Sequence, residues 1–244
     1  MITLIGTGHV FNLSNQILKI FDEKNPDIIC VELDKQRYNA MMTKLSNPEE
    51  YEKAGKNLPV AYKLLARFQD NMADEYGVVA GSEMLTAINY AQTHQKPVAF
   101  IDMDAQHMFT KMLKTMKLSE KIKLMLTGLG GFFISKKRVE KELTNFENNF
   151  DNYIQQIGEK FPTIKRVLID ERNIYMVQQI TEIKNKYEKI GVVLGDGHIP
   201  GISELLKEKN MDFETIRLSD LRSKVDTAKT DSTSASFTTE YKAL

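Results

Sequence analysis

Residues 28–33 read Ile28-Ile29-Cys30-Val31-Glu32-Leu33, a near-continuous apolar run. A strand covered by helices on both faces has no polar face to alternate with, and such strands belong to parallel sheets. Pro26 precedes the run and breaks an earlier helical pattern, in which Ile17, Leu18, Ile20 and Phe21 recur behind Ser14, an N-cap candidate. Before that, Ile2-Thr3-Leu4-Ile5-Gly6 reads as a short buried strand that ends in a glycine turn. The chain therefore opens with a βαβ unit.

Further along, helical patterns cover residues 35–45, 59–74 and 82–94, punctuated by Pro48 and Pro59. Val98-Ala99-Phe100-Ile101 follows Pro97 and reads as a third strand. No strand pattern appears from Ala105 to Tyr187, where Lys136–Phe150 and Thr163–Lys186 have helical spacing. Ile190-Gly191-Val192-Val193-Leu194-Gly195 is a fourth strand, followed by Asp196-Gly197-His198, a short helix with Ile202, Leu205 and Leu206, and a last strand from Phe213. A strand, a Gly-x-x-His turn, a helix and a strand thus occur twice. The expected architecture is an α/β domain over residues 1–222. A central mixed or mostly parallel sheet is flanked by helices, with a long helical insertion at about 105–187, between the third and fourth strands. After Arg222 the composition turns to Ser, Thr, Lys, Asp and Ala, the pattern of a flexible polar tail over residues 223–244.

Composition narrows the function classes. The 244 residues carry 33 Lys+Arg and 33 Asp+Glu, so the chain lacks the net positive charge of a nucleic-acid binder. Hydrophobic residues are 42% of the chain, enough for a packed core. The single cysteine, Cys30, forms no internal disulfide and no Cys-x-x-Cys site, which fits a reducing compartment. The opening MITLIGTGHV has no basic n-region and reads as a strand rather than a signal peptide. The longest uncharged apolar stretch, Leu124–Ser135, is 12 residues with three glycines. A spanning helix needs about 20 residues, so no transmembrane segment is expected and the location is read as cytoplasmic. With Lys136-Lys137-Arg138 behind it, this stretch is either a buried helix pair or a contact for a partner or a membrane surface.

Ligands of open α/β sheets bind outside the carboxyl ends of the strands. Gly6-Thr7-Gly8-His9 follows the first strand, Glu32 and Asp34 end the second, Asp102 and Asp104 end the third, and His198 follows the fourth. With these strands parallel, two imidazoles and several carboxylates meet on one edge, a donor set suited to a divalent metal. For Asp34 and Asp104 helix capping is the stronger reading, because each precedes a helical pattern. Glu83 in Gly81-Ser82-Glu83-Met84 is a first-turn acid or an acid/base group, and Arg172 in Asp170-Glu171-Arg172-Asn173 belongs to a solvated face or is a fixed guanidinium. A dinucleotide site is disfavoured, since Phe11 and Pro200 stand where Gly-x-Gly-x-x-Gly needs its third glycine. No Gly-x-Ser-x-Gly elbow occurs, and Cys30 lies mid-strand in apolar company. His94 at a helix end is explained by a dipole contact, and His107, at a helix start just past the third strand, is an outside candidate.

The ordered set resembles the TraB/PrgY family: Leu4-Ile5-Gly6-Thr7-Gly8-His9-Val10, Val31-Glu32-Leu33-Asp34 with Arg37-Tyr38, Val79-Ala80-Gly81-Ser82-Glu83-Met84, Ile101-Asp102-Met103-Asp104, Glu171-Arg172-Asn173 with Met176, and Gly195-Asp196-Gly197-His198 with Gly201. That family is grouped with Tiki, erythromycin-esterase-like and ChaN-like proteins. The resemblance implies a metal-dependent hydrolase of amide or ester bonds, peptidase-like, with His9, Glu32 and His198 at the metal. It implies Glu32, Glu83 and Arg172 as catalytic groups, and Gly8, Asp102 and Asn173 are expected at the substrate. The metal is zinc, manganese, cobalt or iron, and the substrate a peptide or small molecule; homo-oligomerisation stays open. Glu32 is either a ligand or the base that activates water. The rival is a protein of the same fold that sequesters a peptide or other ligand without turnover. Many relatives carry a membrane-spanning C-terminal region where this chain has a polar segment.

Overall fold

The computed structural model describes residues 1–8, 13–49, 51, 81–131, 156 and 158–222. Strands β1 (Ile2–Thr7), β2 (Ile28–Val31), β3 (Val98–Phe100), β4 (Ile190–Gly195) and β5 (Phe213–Ile216) form one sheet in the order β3-β2-β4-β1-β5. Every neighbouring pair is parallel. The helices are α1 (Ser14–Lys24), α2 (Lys35–Ser46), α3 (Ser82–Thr93), α4 (Ala105–Thr115), α5 (Leu118–Gly131), α6 (Pro162–Lys165), α7 (Glu171–Lys184) and α8 (Ile199–Glu208). A π-helical turn, Arg166–Asp170, leads into α7, and a 3₁₀ turn, Asp196–His198, leads into α8.

Side chains of a strand alternate between faces, and here both faces are cores. Ile5, Ile29, Val31 and Val193 pack with Ile17, Phe21, Met84 and Ile88 of α1 and α3. Leu4, Ile28, Cys30, Val192 and Leu194 pack with Met176, Ile180, Ile202 and Leu206 of α7 and α8. Each fully buried aliphatic side chain contributes roughly 1.5–3 kcal/mol, so a polar residue on either face would be costly. This is why residues 28–31 and 190–194 lack alternation. Met108, Met112, Met116 and Val167 form a third, smaller core that ties α4 to the π-helical turn.

β4 inserts between β1 and β2, which places the two glycine-containing turns side by side. Their register is one residue out of step: Gly6 pairs with Leu194 and Thr7 with Gly195. A Cβ at Gly6 would lie 2.2 Å from Asp196 Oδ1, so the second turn needs a glycine beneath it. Asp34 caps α2 through the Gln36 and Arg37 N–H groups, and Asp104 caps α4 through His107 N–H. Ser14 differs from the expected cap: α1 begins on it with Leu13 at the cap position, and its hydroxyl meets Thr86 Oγ1 at 3.0 Å.

Between β3 and β4 the described chain is helical in α4 to α7, while the centre of the expected insertion lies outside the described residues. So do the patterns at 59–74 and 136–150 and the segment 223–244. Among the described residues no helix is long and apolar enough to cross a membrane.

Candidate functional site

In a parallel sheet each strand delivers the next residues to the same edge. Glu32 directly follows β2, Asp102 lies two residues past β3, and His198 closes the turn after β4. Because α7 runs back toward the start of β4, its first turn returns to that edge with Arg172 and Asn173. The π-helical turn just before it changes the helical phase, a feature common near functional groups.

Arg172 is the hub. Its Nε–H donates to Asp102 Oδ1 at 2.9 Å, its Nη2 donates to Asp102 Oδ2 at 2.8 Å and to Glu32 Oε1, and its Nη1 donates to the Leu168 carbonyl at 3.2 Å. Four of the guanidinium's five donors are thereby directed inward. Its side chain is 12% exposed, against 6% for Glu32 and 1% for Asp102. Burial alone would disfavour the guanidinium charge, but the Glu32 and Asp102 carboxylates together outweigh it and hold the pKa above the ordinary arginine value. Asp102 also accepts from the Met103 N–H and from Arg37 Nη2, while Arg37 Nε donates to Asp34 at 2.6 Å. Arg37 is the solvent-facing end of this chain of charges, 38% exposed.

Glu32 receives a second anchor on its other oxygen, where Gly195 N–H donates to Oε2 at 2.6 Å. His198 completes the cluster. Its Nδ1 lies 2.6 Å from Asn173 Oδ1, and its Nε2 lies 3.4 Å from Glu32 Oε1. With the amide oxygen as acceptor, Nδ1–H is the donor to Asn173, and Nε2 faces the Glu32 carboxylate. Asn173 reaches this position because Gly201 lacks a side chain; a Cβ there would lie 2.3 Å from Asn173 Nδ2. Three carboxylates (Glu32, Asp34, Asp102) face two guanidiniums (Arg37, Arg172), one carboxylate more than the arginines pair.

The expected site residues thus fall into groups. Glu32, Asp102, Arg172, Asn173 and His198 meet in one hydrogen-bonded cluster, with Asn173 on the histidine and Asp102 on the arginines. Glu83 is wholly buried in the first turn of α3, behind Gly81 at φ +81°, a backbone conformation that suits glycine. Gly8 is half-buried beyond β1, and His9 lies outside the described residues. Among the described residues no group of three or more His, Cys, Asp or Glu side chains is arranged around an ion position. Cys30 is buried mid-strand, and burial pushes its thiol up to about 12. Arg37 and Gly201, without a role in the sequence-based site, prove integral to it. The signal for Arg37 is its place three residues after the capping Asp34, where both share the first turn of α2.

Comparison with known proteins bears on the whole arrangement. A relative from Methanocaldococcus jannaschii, Uncharacterized protein MJ1365, is 30% identical over 224 residues, covering 89% of this chain and 56% of its own length. The chain therefore spans a little over half of that relative. The TraB/PrgY/gumN family matches residues 1–215, which include β1, β2, β3, β4 and β5 nearly to its end and every residue of the cluster. This chain belongs to the TraB/PrgY/gumN family.

Proposed function

We propose that the cluster at the carboxyl edge is a hydrolytic site for amide or ester bonds, peptidase-like, that works with one divalent metal ion. The observation that carries this reading is the His198–Glu32 pair. An imidazole with its Nδ1 fixed by Asn173 turns its Nε2 toward a carboxylate oxygen 3.4 Å away, inside a cluster where carboxylates outnumber guanidiniums. A ring nitrogen and a carboxylate oxygen this close attract each other through a cation that they share, either a proton on Nε2 or a metal ion held by both. A metal-binding histidine typically donates its other N–H to an oxygen, as His198 does to Asn173. His198 and Glu32 are donors that suit a divalent ion, with His9, outside the described residues, the further candidate from the sequence. Such an ion, when bound, polarises a carbonyl and lowers the pKa of water.

The chain's own groups have separable tasks. Asn173 fixes the ring of His198. Arg172, held by Asp102, orients Glu32, and Gly195 N–H fixes its second oxygen. Glu32 then serves as ligand or as proton acceptor, and Glu83 is the second acid/base candidate. Metal content of protein purified without chelator tests the reading, alongside His9→Ala, His198→Ala and Glu32→Gln. The expected result is one ion per chain, lost in both histidine variants while they stay folded. If Glu32→Gln keeps the ion but loses turnover of peptide or ester substrates, Glu32 is the base. Absence of metal from the purified protein, with no uptake from added zinc, manganese, cobalt or iron, would sink the proposal.

One observation favours the rival, a protein that sequesters its ligand. Both oxygens of Glu32 already accept hydrogen bonds, from Arg172 and from Gly195. A sequestering protein saturates at stoichiometric ligand, whereas the hydrolase processes an excess.

A further inference from the structure

The two guanidiniums of the cluster differ in what they leave open. Arg172 is buried, with four of its five donors engaged. Arg37 is held at two atoms, Nε on Asp34 Oδ2 and Nη2 on Asp102 Oδ2, and its Nη1 makes no hydrogen bond among the described residues. Its side chain is 38% exposed, whereas the two carboxylates that hold it are buried. Those carboxylates have other partners as well. Asp34 Oδ1 accepts the Gln36 and Arg37 N–H groups at the start of α2, and Asp102 accepts two bonds from Arg172. Arg37 is therefore fixed without being saturated. A planar guanidinium already held in place takes a carboxylate with little further loss of side-chain freedom.

Position ties Arg37 to the proposed chemistry. Asp102 Oδ2 accepts from Nη2 of both arginines, and Arg172 Nη2 also donates to Glu32. Three hydrogen bonds in series thus lead from Arg37 Nη2 to Glu32, which limits their separation to about 9 Å. Extended chain covers that distance in about three residues or fewer. We propose that Arg37 binds a free carboxylate of the substrate, and so selects compounds whose carboxylate lies within about three residues of the bond presented to Glu32 and His198. This inference rests on the proposed function and narrows its substrate to an anion. Charge agrees with it: among the described residues the cluster has one carboxylate in excess of its guanidiniums. A divalent ion offsets that excess and leaves one positive charge, which a single carboxylate of the substrate neutralises.

The test reads binding rather than turnover. Three pools of N-acetylated tripeptides are titrated into the full, ¹⁵N-labelled chain, with chelator and again with added zinc or manganese. One pool has free C-terminal carboxylates and no acidic side chains, one has C-terminal amides and no acidic side chains, and one has amides with a single Asp or Glu. The arginine Nε–H resonances report the contact, that of Arg37 being the one missing from Arg37→Lys. At least one carboxylate pool is expected to bind about tenfold or more tighter than the neutral pool and to shift the Arg37 resonance. Which pool does so tells a terminal carboxylate from a side-chain one. Arg37→Gln is expected to abolish the preference, and Arg37→Lys, which keeps the charge and loses the fork, to restore part of it. The comparison of pools on the wild-type chain stands even where Arg37→Gln does not fold. A preference that chelator and metal leave unchanged keeps the assignment of Arg37 while counting against the metal. Equal affinity for all pools, or no binding of any with or without metal, overturns the inference. So does a folded Arg37→Gln that weakens all pools alike and keeps their ratio, because Arg37 then serves the fold alone.

Discussion

Two aspartate–arginine pairs sit at the same edge of the sheet and share one chemistry in two settings. Asp102 binds Arg172 through two parallel N–H···O bonds with side chains 1% and 12% exposed. Asp196 binds Arg217 in the same forked way, at 2.9 and 2.7 Å, but with side chains 16% and 35% exposed. The first pair lies in the interior and carries Glu32 and His198 with it; the second fastens the turn after β4 to the chain leaving β5. Geometry alone would rank them equal. Burial separates them, because an ion pair in the interior becomes costly as soon as one partner is removed, whereas an accessible one is weakened by solvent and salt.

The largest expected effect follows from the buried member. Asp102→Ala leaves Arg172 short of one of its two buried counter-charges and should lower unfolding stability by about 3–5 kcal/mol. Urea denaturation reads this, and a loss below about 1 kcal/mol would erase the distinction between the two pairs. Next comes the neutral arm of the same cluster. Gly201→Ala drives a methyl group into Asn173 Nδ2, 2.3 Å away, and dislodges the amide that holds His198. Overpacking of this kind costs about 1–3 kcal/mol. Metal affinity, if the proposed function holds, should fall about 10–100-fold, as for other partners of metal-binding histidines. Unchanged stability would mean that Asn173 is not fixed by this contact.

Asp196→Asn should cost about 0.5–1 kcal/mol, since Arg217 stays partly solvated. The difference from wild type should shrink in 1 M salt, roughly, where charges are screened within about 3 Å. Equal sensitivity of Asp102→Ala to salt would break the comparison. The smallest effect concerns a third carboxylate, Glu120, which is buried without an arginine. Burial would raise its pKa, but bonds from the Thr163 hydroxyl, Thr163 N–H and Lys117 N–H together hold it below the ordinary 4.5. A depressed carboxyl pKa stabilises the fold above the unfolded value and loses that contribution as pH falls through the folded one. Stability should therefore decline below about pH 4.5, and Glu120→Gln should flatten that part of the curve. An identical acid limb in the variant would remove Glu120 from the account.

The candidate site was legible in parts. Glu32 and His198 stood out because a strand end and a glycine turn are local patterns, and parallel pairing of β2 and β4 brings them together. Asp34 and Asp104 were legible as caps for the same reason. Asp102 was expected at the substrate, and the structure gives it two arginines from positions 37 and 172. Those partners are far apart in the chain, so no spacing rule pairs them. Ser14 shows the reverse case, where a local cap pattern yields to a contact with Thr86 from another helix.

From its order of residues alone this chain determined most of its described secondary elements and a sheet that is mixed or mostly parallel, because period and apolar continuity are properties of short segments. It also determined which polar residues follow the strands. The strand order β3-β2-β4-β1-β5 was decided only in three dimensions. That order sets β4 between β1 and β2, brings α7 over the edge with Arg172 and Asn173, and among the described residues puts β3 and β5 at the two ends of the sheet. Such choices rest on how two cores fill at once, a sum over contacts distant in sequence that no single segment encodes.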